Sequence, residues 1–133
     1  MSLFRFFAGA LLSALLLASP CLALELPEPG ALSPAEATEV YAELKDDLVI
    51  LDVRTPGEFA EGHAEGALLI PVDELSSRVE EVPDDRPVLI LCRSGRRAAA
   101  AFNILARSGR DMDQVWYLTG YTNYHSGTPE FHK

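Results

Sequence analysis

Val88-Leu89-Ile90-Leu91-Cys92-Arg93-Ser94-Gly95-Arg96-Arg97-Ala98 is the stretch that decides how this chain is built. Four aliphatic residues in succession suit a short strand buried on both faces, as a parallel sheet requires. The run leads straight into Cys92. A loop is expected from Cys92 to Arg97. Residues 98–106 follow with high helix propensity and very small side chains at their start, and Ser108-Gly109 is a usual helix stop.

The same alternation extends in both directions. Ser33-Pro34-Ala35-Glu36 has a serine N-cap, a proline at the first helical position and a glutamate at the third, which predicts a capped helix over residues 34–45. Residues 48–53 form a second buried-strand run, ended by a turn at Thr55-Pro56-Gly57. Residues 58–66 are expected as loop or a single helical turn. A short apolar run over 67–70 is closed by Pro71, residues 73–82 have helical spacing, and residues 83–87 form a turn. Residues 115–118 form the last strand, after which Thr119-Gly120 turns into a polar, aromatic tail. Strands and helices alternating at this spacing predict an α/β three-layer domain: a mainly parallel central sheet flanked by helices.

The N-terminal stretch reads differently. Arg5 precedes the apolar or small, uncharged residues 6–18, and Cys21-Leu22-Ala23 places small residues where a signal peptidase cuts. Residues 1–23 are therefore expected as a signal peptide, and the protein as periplasmic or otherwise exported. The apolar run falls short of the roughly 20 residues a spanning helix needs, so no stable membrane insertion is expected once the leader is removed. The remainder divides into a lead over 24–33, one domain over 34–127 and a tail over 128–133, and the protein is taken as a monomer. With 48% apolar and 23% charged residues, the chain is not of the disordered class.

Removing the leader takes away Arg5 and no acidic group, so the product is one unit more negative than the −9 of the full chain. Such a surface repels phosphate backbones, and no nucleic-acid partner is expected. If Cys21 leaves with the leader, Cys92 is a solitary thiol in an oxidising compartment, where thiols are usually paired.

In a parallel α/β sheet, ligands bind beyond the carboxyl ends of the strands, and Cys92 is the first residue past such an end. The backbone N–H groups at the start of the following helix can converge there as an anion cradle. That positive helix end and Arg93, Arg96 and Arg97 favour thiolate over thiol, so Cys92 is expected to be a nucleophile. Gly95 lets the loop curve tightly. The alternative is a buried, inert cysteine capping a core strand, but three arginines and a glycine within five residues have no role in a core. His63, His125 and His132 have no second ligand at metal spacing, so no metal is expected.

Several ordered landmarks resemble a rhodanese domain. They are Leu51-Asp52-Val53-Arg54-Thr55-Pro56-Gly57-Glu58-Phe59, then Gly62-His63-Ala64-Glu65-Gly66-Ala67 with Ile70-Pro71, then Cys92-Arg93-Ser94-Gly95-Arg96-Arg97, and Leu118-Thr119-Gly120. With the leader, the chain is similar to the exported one-domain members of the phage-shock type. The resemblance implies a thiosulfate sulfurtransferase with no cofactor. Cys92 would take the outer sulfur of thiosulfate, a small anionic donor, and pass it to cyanide or a thiol through a persulfide. Arg93, Ser94, Gly95, Arg96 and Arg97 would bind the sulfonate end. The resemblance also gives Asp52 and Arg54 a bracing role. The chain departs from the family at Gly120-Tyr121, where two glycines are usual, and it lacks the tryptophan that commonly follows.

Two rivals share the fold. A rhodanese-like phosphatase has five residues between cysteine and arginine, whereas Arg97 follows Cys92 after four and Ala98 occupies the phosphatase position. A persulfide carrier or sulfur-binding module for a redox partner, which loads without turning over, would have the same loop as an enzyme.

Overall fold

The computed structural model describes residues 25–133, and the predicted leader lies outside them. Five strands form a parallel sheet: β1 (Gly30–Leu32), β2 (Val49–Asp52), β3 (Leu68–Leu69), β4 (Val88–Leu91) and β5 (Val115–Leu118). Their spatial order is β1-β5-β4-β2-β3. The most apolar runs hold the centre, and all four residues of β4 are buried. A fully parallel sheet flanked by helices is the fold class expected from the sequence.

Side chains alternate across this sheet, as the two-residue period of a strand demands. Leu51, Val88, Ile90, Cys92 and Val115 face one core cluster with Leu75, Ala98, Ala101 and Leu105. These last four come from helices α3 (Val72–Arg78) and α4 (Arg96–Arg107). Ile50, Leu89, Leu91, Trp116 and Leu118 face the other cluster, where Ala37 and Val40 of helix α1 (Pro34–Leu44) cover them. Ala98 and Ala101 are fully buried, so the start of α4 lies against the sheet with little side chain between them.

Helix α1 begins as expected. The Ser33 hydroxyl accepts from the Glu36 N–H, and the Glu36 carboxylate accepts from the Ser33 N–H at 2.8 Å. The same device appears at Thr55, where the sequence suggested a turn and then loop or a single helical turn. Thr55 caps helix α2 (Pro56–Glu61), with Pro56 in the first turn and Glu58 completing a second capping box. Thr55-Pro56-Gly57-Glu58 repeats the pattern of Ser33-Pro34-Ala35-Glu36, and Gly57 disguises it. The helix expected over 73–82 divides, with α3 followed by a 3₁₀ turn at Val79–Glu81. Helix α4 starts two residues earlier than expected, so Arg96 and Arg97 belong to its first turn.

Two segments set outside the domain on the sequence carry strands of it. β1 lies in the lead and pairs with β5, while the Trp116 indole N–H donates to the Pro27 and Glu28 carbonyls. The tail contributes β7 (Glu130–His132), which forms a hairpin with β6 (Tyr121–Asn123). It packs beside α1, where the Phe131 ring meets Tyr41 edge-on at 6.1 Å. Gly120 is required at its base, because a Cβ there would run into the His132 carbonyl oxygen. No helix among the described residues is long and apolar enough to cross a membrane.

Candidate active site

The carboxyl ends of β2, β4 and β5 bring Arg54, Cys92 and Thr119 to one edge of the sheet, at a cleft of about 850 Å³. Its walls are the end of α2, the β4–α4 loop and the base of the C-terminal hairpin. This is the crevice where an open parallel sheet binds ligands.

Cys92 lies at the floor of the cleft with 1% of its surface exposed. Its Sγ accepts from the Gly95 N–H at 3.0 Å and the Ala98 N–H at 3.3 Å. Ala98 is the third residue of α4, so the sulfur receives the N–H that a Ser or Thr hydroxyl receives at an ordinary helix start. Gly95, the N-cap residue, has no side chain to offer. Its φ of 87° is left-handed, and a Cβ would sit 3.0 Å from the Leu118 carbonyl oxygen. Conformation and space both demand glycine here.

The loop residues expected to bind an anion separate into two groups. Arg93 and Ser94 line the cleft with Cys92, and Gly95 contributes its N–H to the sulfur. Arg96 is exposed and outside the cleft lining. Arg97 turns to α2, where its two Nη atoms meet the Glu58 carboxylate at 2.7 and 2.9 Å. The direct donors to the sulfur are therefore two backbone amides, and Arg97, though paired with Glu58, still feels the Cys92 sulfur electrostatically. The Arg97 fork, with the Thr55 N–H adding a further bond, holds the Glu58 carboxyl at about 2, well below the usual carboxylate range.

Glu58 was not among the residues singled out on the sequence, although its capping-box position was visible. Arg54 has the bracing role that the resemblance implied. Its Nε reaches both Asp52 oxygens, its Nη2 donates to Asp52 Oδ2 and the Gly62 carbonyl at 2.7 Å each, and its guanidinium lies 4.4 Å from the Tyr124 ring centre. Burial alone would lower the Arg54 pKa, but the buried Asp52 more than compensates and raises it, so the cation persists. Burial also pushes the Tyr124 phenol up. His63 donates from Nδ1 to the Phe59 carbonyl at 2.7 Å and stacks on the Phe59 ring, a structural role. Among the described residues no cluster of His, Cys, Asp or Glu could hold a metal ion.

The rhodanese-like domain profile matches residues 36–126. This chain belongs to the rhodanese-like domain family. It is 41% identical over 64 residues to a protein of Allochromatium vinosum named sulfurtransferase, a match covering 48% of this chain and 60% of that one. It is 35% identical over 92 residues to the tRNA uridine(34) hydroxylase of Enterobacter sp. strain 638, covering 64% of this chain and 26% of the other. The chain thus spans less than two thirds of either relative's length. The crystal structure of a rhodanese-related protein from Thermoplasma volcanium superposes with a TM-score of 0.57 at 25% identity, covering 68% of this chain and 84% of the other. Strands β1 and β7 lie outside the residues that the profile matches.

Proposed function

We propose that this rhodanese domain is a sulfurtransferase that carries sulfane sulfur on Cys92, with thiosulfate as donor and a thiol or cyanide as acceptor. One observation carries the reading: the Cys92 sulfur, facing the cleft floor, is the acceptor of two backbone N–H groups at the start of a helix. Those donors are aimed at negative charge on the sulfur, and the positive helix end favours it further.

In the first step the Cys92 thiolate attacks the outer sulfur of thiosulfate. A new S–S bond forms, the bond to the sulfonate sulfur breaks, and sulfite leaves with the electron pair. Arg93 and the Ser94 side of the loop line the space where the sulfonate would sit. In the second step the acceptor attacks the outer sulfur of the persulfide, and the electron pair returns to Sγ. Neither step changes the oxidation balance, and none calls on a cofactor. Cys92 is the one cysteine among the described residues, which suits this cycle, because a neighbouring cysteine would resolve the persulfide into a disulfide. Export to an oxidising compartment is part of the proposal and rests on the leader-like residues 1–23.

Intact mass after brief exposure to thiosulfate tests the first step. The expected result is an addition of about 32 Da, lost on treatment with cyanide and absent in Cys92→Ser. No addition to the native chain overturns the reading. Repeated turnover with thiosulfate and cyanide separates an enzyme from a carrier, which would load once and stall.

A further inference from the structure

We infer that the Tyr124 hydroxyl is a hydrogen-bond donor to the outer sulfur of the Cys92 persulfide, and so serves the loaded state of the protein rather than its fold. This rests on the sulfurtransferase reading and deepens it, by assigning a side chain to the intermediate.

Unmet hydrogen bonding is the first reason. Among the described residues, three buried side-chain polar atoms have no partner: Arg110 Nε, Thr122 Oγ1 and Tyr124 Oη. Arg110 is fixed without its Nε, because its two Nη atoms donate to the Val82 and Pro83 carbonyls. Thr122 and Tyr124 both line the cleft that has Cys92 at its floor. The Thr122 hydroxyl is close enough to the phenol to act on its ionisation, and if it donates to the phenol oxygen the phenol proton still has no acceptor. A donor closed to solvent and left unpaired destabilises a fold, which points to a ligand that completes it.

Displaced charge is the second reason. On loading, Sγ forms a bond to the outer sulfur of thiosulfate, the bond to the sulfonate sulfur breaks, and sulfite leaves with the electron pair. Charge balance then puts the negative charge of the persulfide on its outer sulfur, about 2 Å beyond Sγ. The Gly95 and Ala98 amides are aimed at Sγ itself. Cys92 is closed to solvent, so the displaced charge needs a donor from the protein. Of the nearby donors, Arg54 is taken by Asp52, Arg97 by Glu58 and the Thr119 hydroxyl by the Leu32 carbonyl.

The phenol is also kept ready to donate. Burial first, then the Asp52 carboxylate, push its pKa up, and the Cys92 sulfur adds to this, so the proton stays on Oη. The ring is held without help from the hydroxyl, with the Arg54 guanidinium 4.4 Å from its centre.

The test compares the full chain with Tyr124→Phe, which removes one oxygen and keeps the ring on Arg54. Each is equilibrated with set ratios of thiosulfate to sulfite, and intact mass reads the loaded fraction. The variant should need a ratio about threefold or more higher for half loading. Unloaded, it should melt at or above the native temperature, because no hydrogen bond is lost. A half-loading ratio raised by less than about threefold overturns the inference. So does an unloaded variant that melts below the native chain, since the hydroxyl would then have a partner already. If thiosulfate adds no sulfur to native Cys92, the sulfurtransferase reading fails and takes this inference with it; normal native loading with an unshifted ratio in the variant overturns this inference alone.

Discussion

Helices α2 and α4 both begin at the cleft, and their first turns are built in opposite ways. At α2, the Thr55 hydroxyl and the Glu58 carboxylate satisfy the free N–H groups, and the acid complements the positive helix end. At α4 the N-cap is a left-handed glycine, the first turn carries Arg96 and Arg97 in place of acids, and the N–H of the third residue goes to a sulfur just past the end of β4. Two arginines there oppose the helix dipole, and Glu58 of α2 relieves one of them by reaching Arg97. The comparison separates two uses of the same unpaired amides. At α2 a hydroxyl and a carboxylate accept them and the result is stability, whereas at α4 the acceptor is the sulfur to which the proposed function assigns the chemistry.

The strongest way to break that contrast is to exchange the atom. Cys92→Ser keeps an acceptor near the Gly95 and Ala98 amides, so the fold should persist while sulfur loading, read by intact mass, disappears completely. Retained loading would move the chemistry away from α4. Gly95→Ala attacks the geometry that leaves the amides free. A left-handed alanine with its Cβ 3.0 Å from the Leu118 oxygen should cost about 3 kcal/mol in urea unfolding. A cost under about 1 kcal/mol would show that the cradle relaxes easily.

These effects also mark what was legible beforehand. The long apolar runs of β2, β4 and β5 and the Ser33 box declare themselves, because their physics is local. The start of α4 was placed two residues late because its cap is a sulfur three residues upstream of Gly95, with no Ser or Thr to announce it. β1 and the hairpin are three-residue strands with no periodicity to read, and they exist through pairing with distant partners. Cys92 and its loop stand out in the sequence, whereas the pairing of Arg97 depends on Glu58, 39 residues away.

Glu58→Gln sharpens the link between the two helix starts. The Glu58 carboxyl is held at about 2, below its ordinary 4.5, so its ionised form stabilises the fold fully above about 4.5. That contribution fades as pH falls toward 2. The pair is partly exposed, so the loss after solvent screening is about 1 kcal/mol at pH 7. The gap in melting temperature between Glu58→Gln and the native chain should close between pH 4.5 and 2; a gap independent of pH would assign the loss to packing. The smallest effect on the site belongs to Ser33→Ala, far from the cleft. It should cost about 1 kcal/mol and leave sulfur loading unchanged. Altered loading would mean that α1 communicates with the site.

The bond from Thr119 to the Leu32 carbonyl joins positions 87 apart, and it closes the sheet edge on which the hairpin is mounted. Topology of this kind delays assembly, because a long loop must be ordered before the pairing is gained. The strand leading to Cys92 pairs with partners closer in sequence than the β1–β5 pair, so β4 is expected to form before β1 closes the sheet edge, leaving an interval in which the sulfur is less covered. Pulse-labelled hydrogen exchange should find amides of β1 protected after those of β4; the reverse order would place the closing of the sheet edge first.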